Sequence, residues 1–194
     1  MQKVNKAKKR AEHADPTADE AIKKALRSQK ARQSRETGAM FEKMIDDSLE
    51  WYRAHGVAFI SKVPEPMKPI RPTGRGGQFI ACYTKQAQPD YIGTMNNGRA
   101  VVFDAKYTAG DKLEYSRVSA EQYSDLEMHY QMGAVVFILA GFGAGDYFRI
   151  PWPVFRDMQS IYGRKHIKKA DCEPYRVPGG YIIKLLEFIE AEEQ

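Results

Sequence analysis

The chain is poor in the residues that build several common kinds of site. It has two cysteines, Cys82 and Cys172, and four histidines, His13, His55, His129 and His166. With no CxxC pair and no Cys/His cluster, neither a disulfide framework nor a zinc site is indicated, and a reducing compartment fits. No apolar run approaches the ~20 residues of a membrane span. The first residues are charged rather than signal-like, so a soluble cytoplasmic protein is expected. Thr73-Gly74-Arg75-Gly76-Gly77 lacks the Lys-Ser/Thr of a phosphate-binding loop, which argues against nucleotide binding. Gly141, Gly143 and Gly145 resemble a dinucleotide fingerprint in composition only. They precede Tyr147 to Ile150, a strand candidate, so a hairpin is expected there.

What is present sets a size and a charge pattern. A chain of 194 residues with 43% hydrophobic content buries one sizeable core, so one domain with an appendage is expected. Residues 1–36 carry 11 Lys/Arg against 5 Asp/Glu, and the remainder 19 against 20. The net charge of +5 is therefore a tail of +6 on a body of −1. Such a tail suits an acidic polymer such as DNA, whose counterions each neutralised phosphate releases. Two units are expected: a basic tail over 1–36, frayed, disordered or partly helical, and a domain over 37–194.

Along the domain, Phe41, Met44, Ile45, Leu49 and Tyr52 recur at helical spacing before Gly56, which predicts the first core helix. Glu42 lies beside that stripe in the first turn, where the helix dipole also favours a carboxylate. Val57 to Val63 reads as a strand ended by Pro64. The stretch from Pro64 to Gly77 holds four prolines, three glycines and the cations Lys68, Arg71 and Arg75. It is excluded from a central strand or a helix interior, leaving a mobile loop or a projecting basic arm. Phe79 to Tyr83 forms another strand. Ser119-Ala120-Glu121-Gln122 has capping-box spacing and opens a helix to about Met132, so Gln122 has a structural role available. Ala134 to Phe142 is an apolar run of the kind covered on both sheet faces. Val154 to Tyr162 suits a short helix, Arg164, Lys165, Lys168 and Lys169 form a basic cluster, and Tyr181 to Glu193 reads mainly as a helix.

The densest chemistry falls between Asp90 and Lys106. Arg99 to Lys106 is β-branched and aromatic, and Asn96-Asn97-Gly98 before it signals a hairpin turn. Strand alternation points Asp104 and Lys106 to the same side. An antiparallel partner would then bring Asp90 beside Asp104. Two carboxylates and an ammonium in a small volume suit a divalent cation, which lowers the pKa of a water it holds. An acid-x-Lys triplet alone arises about once by chance in such a chain. The competing reading is a solvent-facing pair on an edge strand.

Helix, strand, strand, strand, helix, strand, with Pro89-Asp90 and Asp104-Ala105-Lys106, resembles the PD-(D/E)xK nuclease core. More closely, the chain is similar to RecU-type Holliday junction resolvases from about Thr37 onward. The likeness rests on Phe41-Glu42 with Trp51-Tyr52-Arg53-Ala54-His55-Gly56, Lys62-Val63-Pro64-Glu65-Pro66, Asp90-Tyr91-Ile92-Gly93, Phe103-Asp104-Ala105-Lys106, and Gly133 through Phe142. The resemblance implies an α/β, restriction-endonuclease-like fold: a central mixed β-sheet flanked by helices, with a projecting stalk at about 66–79 and the basic tail. It implies a Mg2+-dependent endonuclease, with Mn2+ as an alternative ion, that nicks opposed strands of a four-way junction during recombination and repair. A homodimer in the cytoplasm of a bacterial or phage-infected cell is implied, with branched DNA as substrate, recombination proteins as further partners and no membrane.

Position by position, the resemblance makes Asp90 and Asp104 metal ligands and Lys106 the residue that orients the attacking water. Glu42 becomes an outer acidic partner, Gln122 a further ligand or water-mediated contact, and Lys68, Arg71 and Arg75 DNA contacts. Family members carry Glu where this chain has Asp104, Thr where it has Gln88, and a His-Gln pair where it has Glu121-Gln122. Two rival readings keep parts of this picture: a nuclease acting on flaps, forks or duplex, and a noncatalytic DNA-binding protein.

Overall fold

A computed structural model describes residues 16–64, 66–74, 76–83, 88–143 and 145–187. The chain divides into two compact units, Met1–Thr37 and Gly38–Gln194. In the first, residues 1–15 of the basic tail lie outside the described residues. From Pro16 onward the chain is the start of helix α1 (Pro16–Ala54). Helix is regular here, where the sequence suggested fraying at most, because Ala, Lys, Arg and Gln are strong helix formers. An Arg32–Glu36 pair at 2.8 Å adds an i,i+4 contact. Ile22 and Leu26 are 57% and 60% exposed, so this part of the helix buries no apolar stripe.

The second unit is built on a six-stranded sheet ordered β1-β4-β5-β7-β8-β10. Its strands are β1 (Ala58–Lys62), β4 (Tyr91–Met95), β5 (Ala100–Thr108), β7 (Val135–Phe142), β8 (Asp146–Pro151) and β10 (Arg176–Val177). Between β1 and β4 come β2 (Met67–Pro72) and β3 (Phe79–Tyr83), a separate antiparallel pair. Between β5 and β7 come β6 (Lys112–Glu114) and helix α2 (Ala120–Gln131). The short helices α3 (Trp152–Arg156) and α4 (Met158–Tyr162) and strand β9 (His166–Lys168) follow β8. All neighbours in the main sheet run antiparallel except β5 and β7, which are parallel because α2 carries the chain back across the sheet.

Alternation along β5 divides the core in two. Val101 and Phe103 face α1, where Phe41, Ile45, Leu49 and Tyr52 supply a four-residue-spaced stripe. Val102 faces the other way, into a cluster with Leu126 of α2, Leu113 of β6, Ile167 of β9 and Trp152 of α3. Every residue of β7 after Val135 is buried, as its apolar run predicts.

Two glycines shape the region around the site. Gly98 has φ +85 in the Asn96-Asn97-Gly98 turn, a left-handed geometry that favours glycine. Gly93 of β4 lies under β1, so a Cβ there would stand 2.2 Å from the Phe59 carbonyl oxygen and 2.4 Å from Ile60 Cα. Any side chain at Gly93 would force β1 away.

Three expectations change. Residues 67–72, read as a mobile loop or a projecting arm, are a strand of the β2–β3 hairpin. Their prolines are tolerated because β2 pairs on one side only, with a register shift between Pro69 and Arg71. The helix expected over 154–162 is two five-residue helices. Tyr181 to Glu187 is neither helix nor strand, and 188–194 lie outside the described residues. Beside a few local turn bonds, two of its amides have distant partners: Ile183 N–H donates to Ser48 Oγ at 2.8 Å and Leu186 N–H to the Tyr52 hydroxyl at 3.1 Å. The Arg149 guanidinium donates to the Leu185 and Glu187 carbonyls. Those bonds satisfy backbone groups that a local helix would otherwise pair.

Candidate active site

The β4–β5 register places Tyr91 opposite Phe103, so the next pair outward is Asp90 opposite Asp104. Two reciprocal bonds lock that pair. Asp90 N–H donates to Asp104 Oδ1 at 2.8 Å, and Ala105 N–H donates to Asp90 Oδ2 at 3.0 Å. Pro89 before the strand is buried. Each carboxylate is thus held by the other strand's backbone, and neither depends on a flexible loop.

Lys106 completes the group from the same face of β5. Its ammonium lies 3.2 Å from Asp104 Oδ2 and 3.6 Å from Asp90 Oδ2, with the side chain 11% exposed. Asp104 is wholly buried. Burial raises its pKa, Lys106 opposes the rise and Asp90 adds to it. Among the described residues, no donor meets Asp104 Oδ2 in hydrogen-bond geometry, so its contact with Lys106 is an ion pair only. The Lys106 ammonium offsets part of the cost of burying that oxygen, and an oxygen outside hydrogen-bond geometry still has a lone pair that a second cation could take.

That orphaned oxygen is the test of fit for a divalent metal. The donors on offer are hard carboxylate oxygens, which suit Mg2+ or Mn2+ rather than a thiolate-seeking ion. Among the described residues no group of three or more His, Cys, Asp or Glu side chains converges. A two-carboxylate site therefore leaves most positions to water and substrate, as Mg2+ tolerates.

The other sequence-derived residues stand apart from this trio. Glu42 lies on α1, the helix packed on the opposite sheet face, and its carboxylate accepts from Lys62 Nζ at 2.7 Å. The Lys62 ammonium has a raised pKa because of that bond, with Asp46 and Asp90 adding to it. Gln122 is on the helix covering the Asp104 face, but its Oε1 accepts from Ser119 N–H at 3.3 Å in the capping box. Lys68 and Arg71 are exposed on β2, opposite Cys82 and Ile80. Arg75 lies outside the described residues.

Sequence reading missed Asp46 and Lys62. Asp46 Oδ1 is 3.5 Å from the Tyr91 hydroxyl, and burial with the surrounding acids raises that hydroxyl's pKa. Asp46, Leu49, Glu50 and Arg53 of α1 and Ile60, Ser61 and Lys62 of β1 line a cleft of about 190 Å³. The spacing Glu42, Asp46, Glu50 along one helix was the available signal.

A central strand carrying Asp-x-Lys, with Pro-Asp on its antiparallel neighbour and a helix crossing to a parallel strand, is the restriction-endonuclease-like arrangement of the PD-(D/E)xK class. The family model described as Recombination protein U matches residues 36–191, and the chain belongs to that family. It is similar to proteins named Holliday junction resolvase RecU. That of Streptococcus gordonii is 27% identical, with 64% of each chain covered. That of Geobacillus sp. (strain WCH70) is 26% identical over 75% of each chain. That of Streptococcus pneumoniae (strain Taiwan19F-14) is 29% identical over 76% of this chain and 75% of the relative. The match to the first of these spans just under two thirds of the relative's length. Among solved structures, Archaeoglobus fulgidus Hjc, a Holliday junction resolvase, matches with a TM-score of 0.43 at 14% identity, over 72% of this chain and 94% of that one.

No helix among the described residues is long and apolar enough to cross a membrane.

Proposed function

We propose that this protein is a structure-selective endonuclease that resolves four-way DNA junctions by Mg2+-dependent phosphodiester hydrolysis, acting as a cytoplasmic homodimer. The observation that carries the reading is the cross-strand Asp90–Asp104 pair with Lys106 against both carboxylates and one Asp104 oxygen left without a donor. Membership of the Recombination protein U family supports junction DNA as the substrate.

Asp90 and Asp104 would hold the cation. Bound there, Mg2+ supplies positive charge against the developing phosphoryl oxygens and acidity for a water. Lys106 would orient the attacking water and offset transition-state charge, a role supported by its ammonium lying beside both carboxylates. The Asp90 N–H bond to Asp104 Oδ1 supports a fixed orientation for the shorter Asp104 side chain. Glu42, through Lys62, would tune the charge at the edge of the site. Gln122 would reach the site only by giving up its cap bond or through its amide nitrogen. Lys68 and Arg71 on the β2–β3 hairpin, with Arg75, would meet the phosphates at the junction centre.

The test is nicking of a synthetic four-way junction in Mg2+ by the purified protein. Symmetric nicks are expected, with loss of about 10³-fold in rate in Asp104→Ala and Lys106→Ala and junction binding retained. Cleavage by both variants at the parent's rate would sink the assignment. Equal nicking of linear duplex would instead favour a nuclease without junction selectivity.

A further inference from the structure

The basic cluster at 164–169 is sorted by the fold into two kinds of cation. Arg164 is bound to the Asp171 carboxylate and Lys169 to Asp146. Both have internal partners: the first pair links the residues before β9 to those after it, and the second links the residue after β9 to the start of β8. Lys165 and Lys168 are exposed and, among the described residues, form no ion pair.

Strand pairing then adds a third lysine. The β6–β9 register sets Lys112 directly opposite Lys168, Leu113 opposite Ile167 and Glu114 opposite His166. Leu113 and Ile167 are fully buried, so the other face of this ribbon is the outward one. It carries Lys112, Lys168, Glu114 and His166, and Lys165 precedes it. Glu114 is 2.7 Å from Lys112 and neutralises one lysine. The remaining charge on this face is positive. Lys168, with Lys165 beside it, is then the part of this face whose charge is not offset by an ion pair among the described residues.

The ribbon is also on the right side of the molecule. Leu113 and Ile167 belong to the same buried cluster as Val102, whose face of β5 is that of Asp104 and Lys106. Arg117, just after β6, donates to the Tyr107 carbonyl at the end of β5 at 3.2 Å, while Lys169 N–H to the Asp111 carbonyl at 2.8 Å extends the ribbon's own pairing. Lys112 is six positions after Lys106 in the chain, so their Cα atoms lie at most about 22 Å apart. At ~3.4 Å per base pair that is about six base pairs of duplex.

We infer that the outward face of the β6–β9 ribbon is a second DNA-backbone contact, in which Lys165 and Lys168, with Lys112, hold phosphates of the duplex arm beside the cut. This rests on the nuclease reading of the Asp104 face. The contact reads charge and no sequence, so it acts on linear duplex and junction alike and sets which arm lies over the carboxylates.

The experiment is a binding titration of the full chain without Mg2+, by fluorescence anisotropy, over a series of salt concentrations, on a four-way junction and on a linear duplex. Lys165→Gln/Lys168→Gln is expected to weaken binding roughly tenfold at physiological salt and to lower the salt slope by about 1.8, about 0.9 per phosphate lost. Lys165→Arg/Lys168→Arg is expected to keep both values near the parent's. Unchanged affinity and slope in the Gln variant would overturn the contact. So would weaker binding with an unchanged slope, which indicates a structural defect. A parent that binds duplex but neither prefers nor nicks the junction would refute the resolvase reading while leaving the ribbon to be judged by its slope. A parent that binds neither DNA would refute both.

Discussion

The β4–β5 pair and the β2–β3 pair are both antiparallel, yet they are built for opposite purposes. In the first, Tyr91, Val101, Val102, Phe103 and Asp104 are buried, and the rings of Tyr91, Phe103 and Phe137 stack in series at 4.7 and 4.8 Å. In the second, all six residues of β2 are exposed, with Met67 57%, Ile70 62% and Phe79 57% accessible. The first pair has neighbours on both faces that deny it water and fix its rotamers. The second holds together through its own backbone bonds while offering apolar and cationic side chains outward. Precision at the carboxylates requires the former, whereas the latter leaves Met67, Ile70 and Phe79 exposed beside Lys68 and Arg71.

The comparison is sharpened most by deleting an aromatic ring from each pair. Phe103→Ala is expected to cost about 3–5 kcal/mol in urea unfolding, since it empties the centre of the stack. Phe79→Ala should stay within about 0.5 kcal/mol because its ring is already in water. Equal losses would mean that the hairpin has a packing role its exposure does not suggest.

A smaller effect is expected from cutting most of β2 and the turn out of the hairpin. Deleting residues 69–77 should lower junction nicking about 10²-fold through lost substrate positioning. Duplex nicking and melting temperature should stay near the parent's values. A variant that fails to fold would place the hairpin in the core's energetics and break the contrast.

The smallest effect lies in an ion pair far from both regions. Lys169 and, next, Arg176 hold the Asp146 carboxyl below the usual carboxylate range. The folded-state pKa is therefore depressed, and the stabilisation is fully present above the unfolded value of about 3.9 and lost as pH falls through the folded one. Asp146→Asn should lower stability by about 1 kcal/mol or less at neutral pH, given solvent screening. The gap between variant and parent should close in melts taken toward pH 3. A gap that stays constant would assign the effect to packing instead of charge.

Much of the site was legible because its signals are local. Alternation from Arg99 to Lys106 gave the shared face of Asp104 and Lys106, and Asn96-Asn97-Gly98 gave the turn that brings β4 back beside β5. The Ser119–Gln122 capping box formed as its spacing predicts. The β2 strand was illegible because Pro69 and Pro72 argue against a central strand, and only its pairing with β3 permits an edge one. The C-terminal segment misled because its apolar then acidic pattern is helical, whereas several of its backbone groups bond to Ser48, Tyr52 and Arg149. The four cations at 164–169 look alike in sequence, and only Asp146 and Asp171 separate those in ion pairs from those that form none among the described residues.

By itself the sequence determined the strand alternation, the turn, the caps and the basic tail, because each depends on residues within a few positions of one another. Tertiary structure decided that Asp90 and Asp104 exchange backbone bonds, that Glu42 is held by Lys62, and that Lys112 stands opposite Lys168. Those outcomes depend on register and on which face of the sheet each helix covers, and both are set by burial of the whole core.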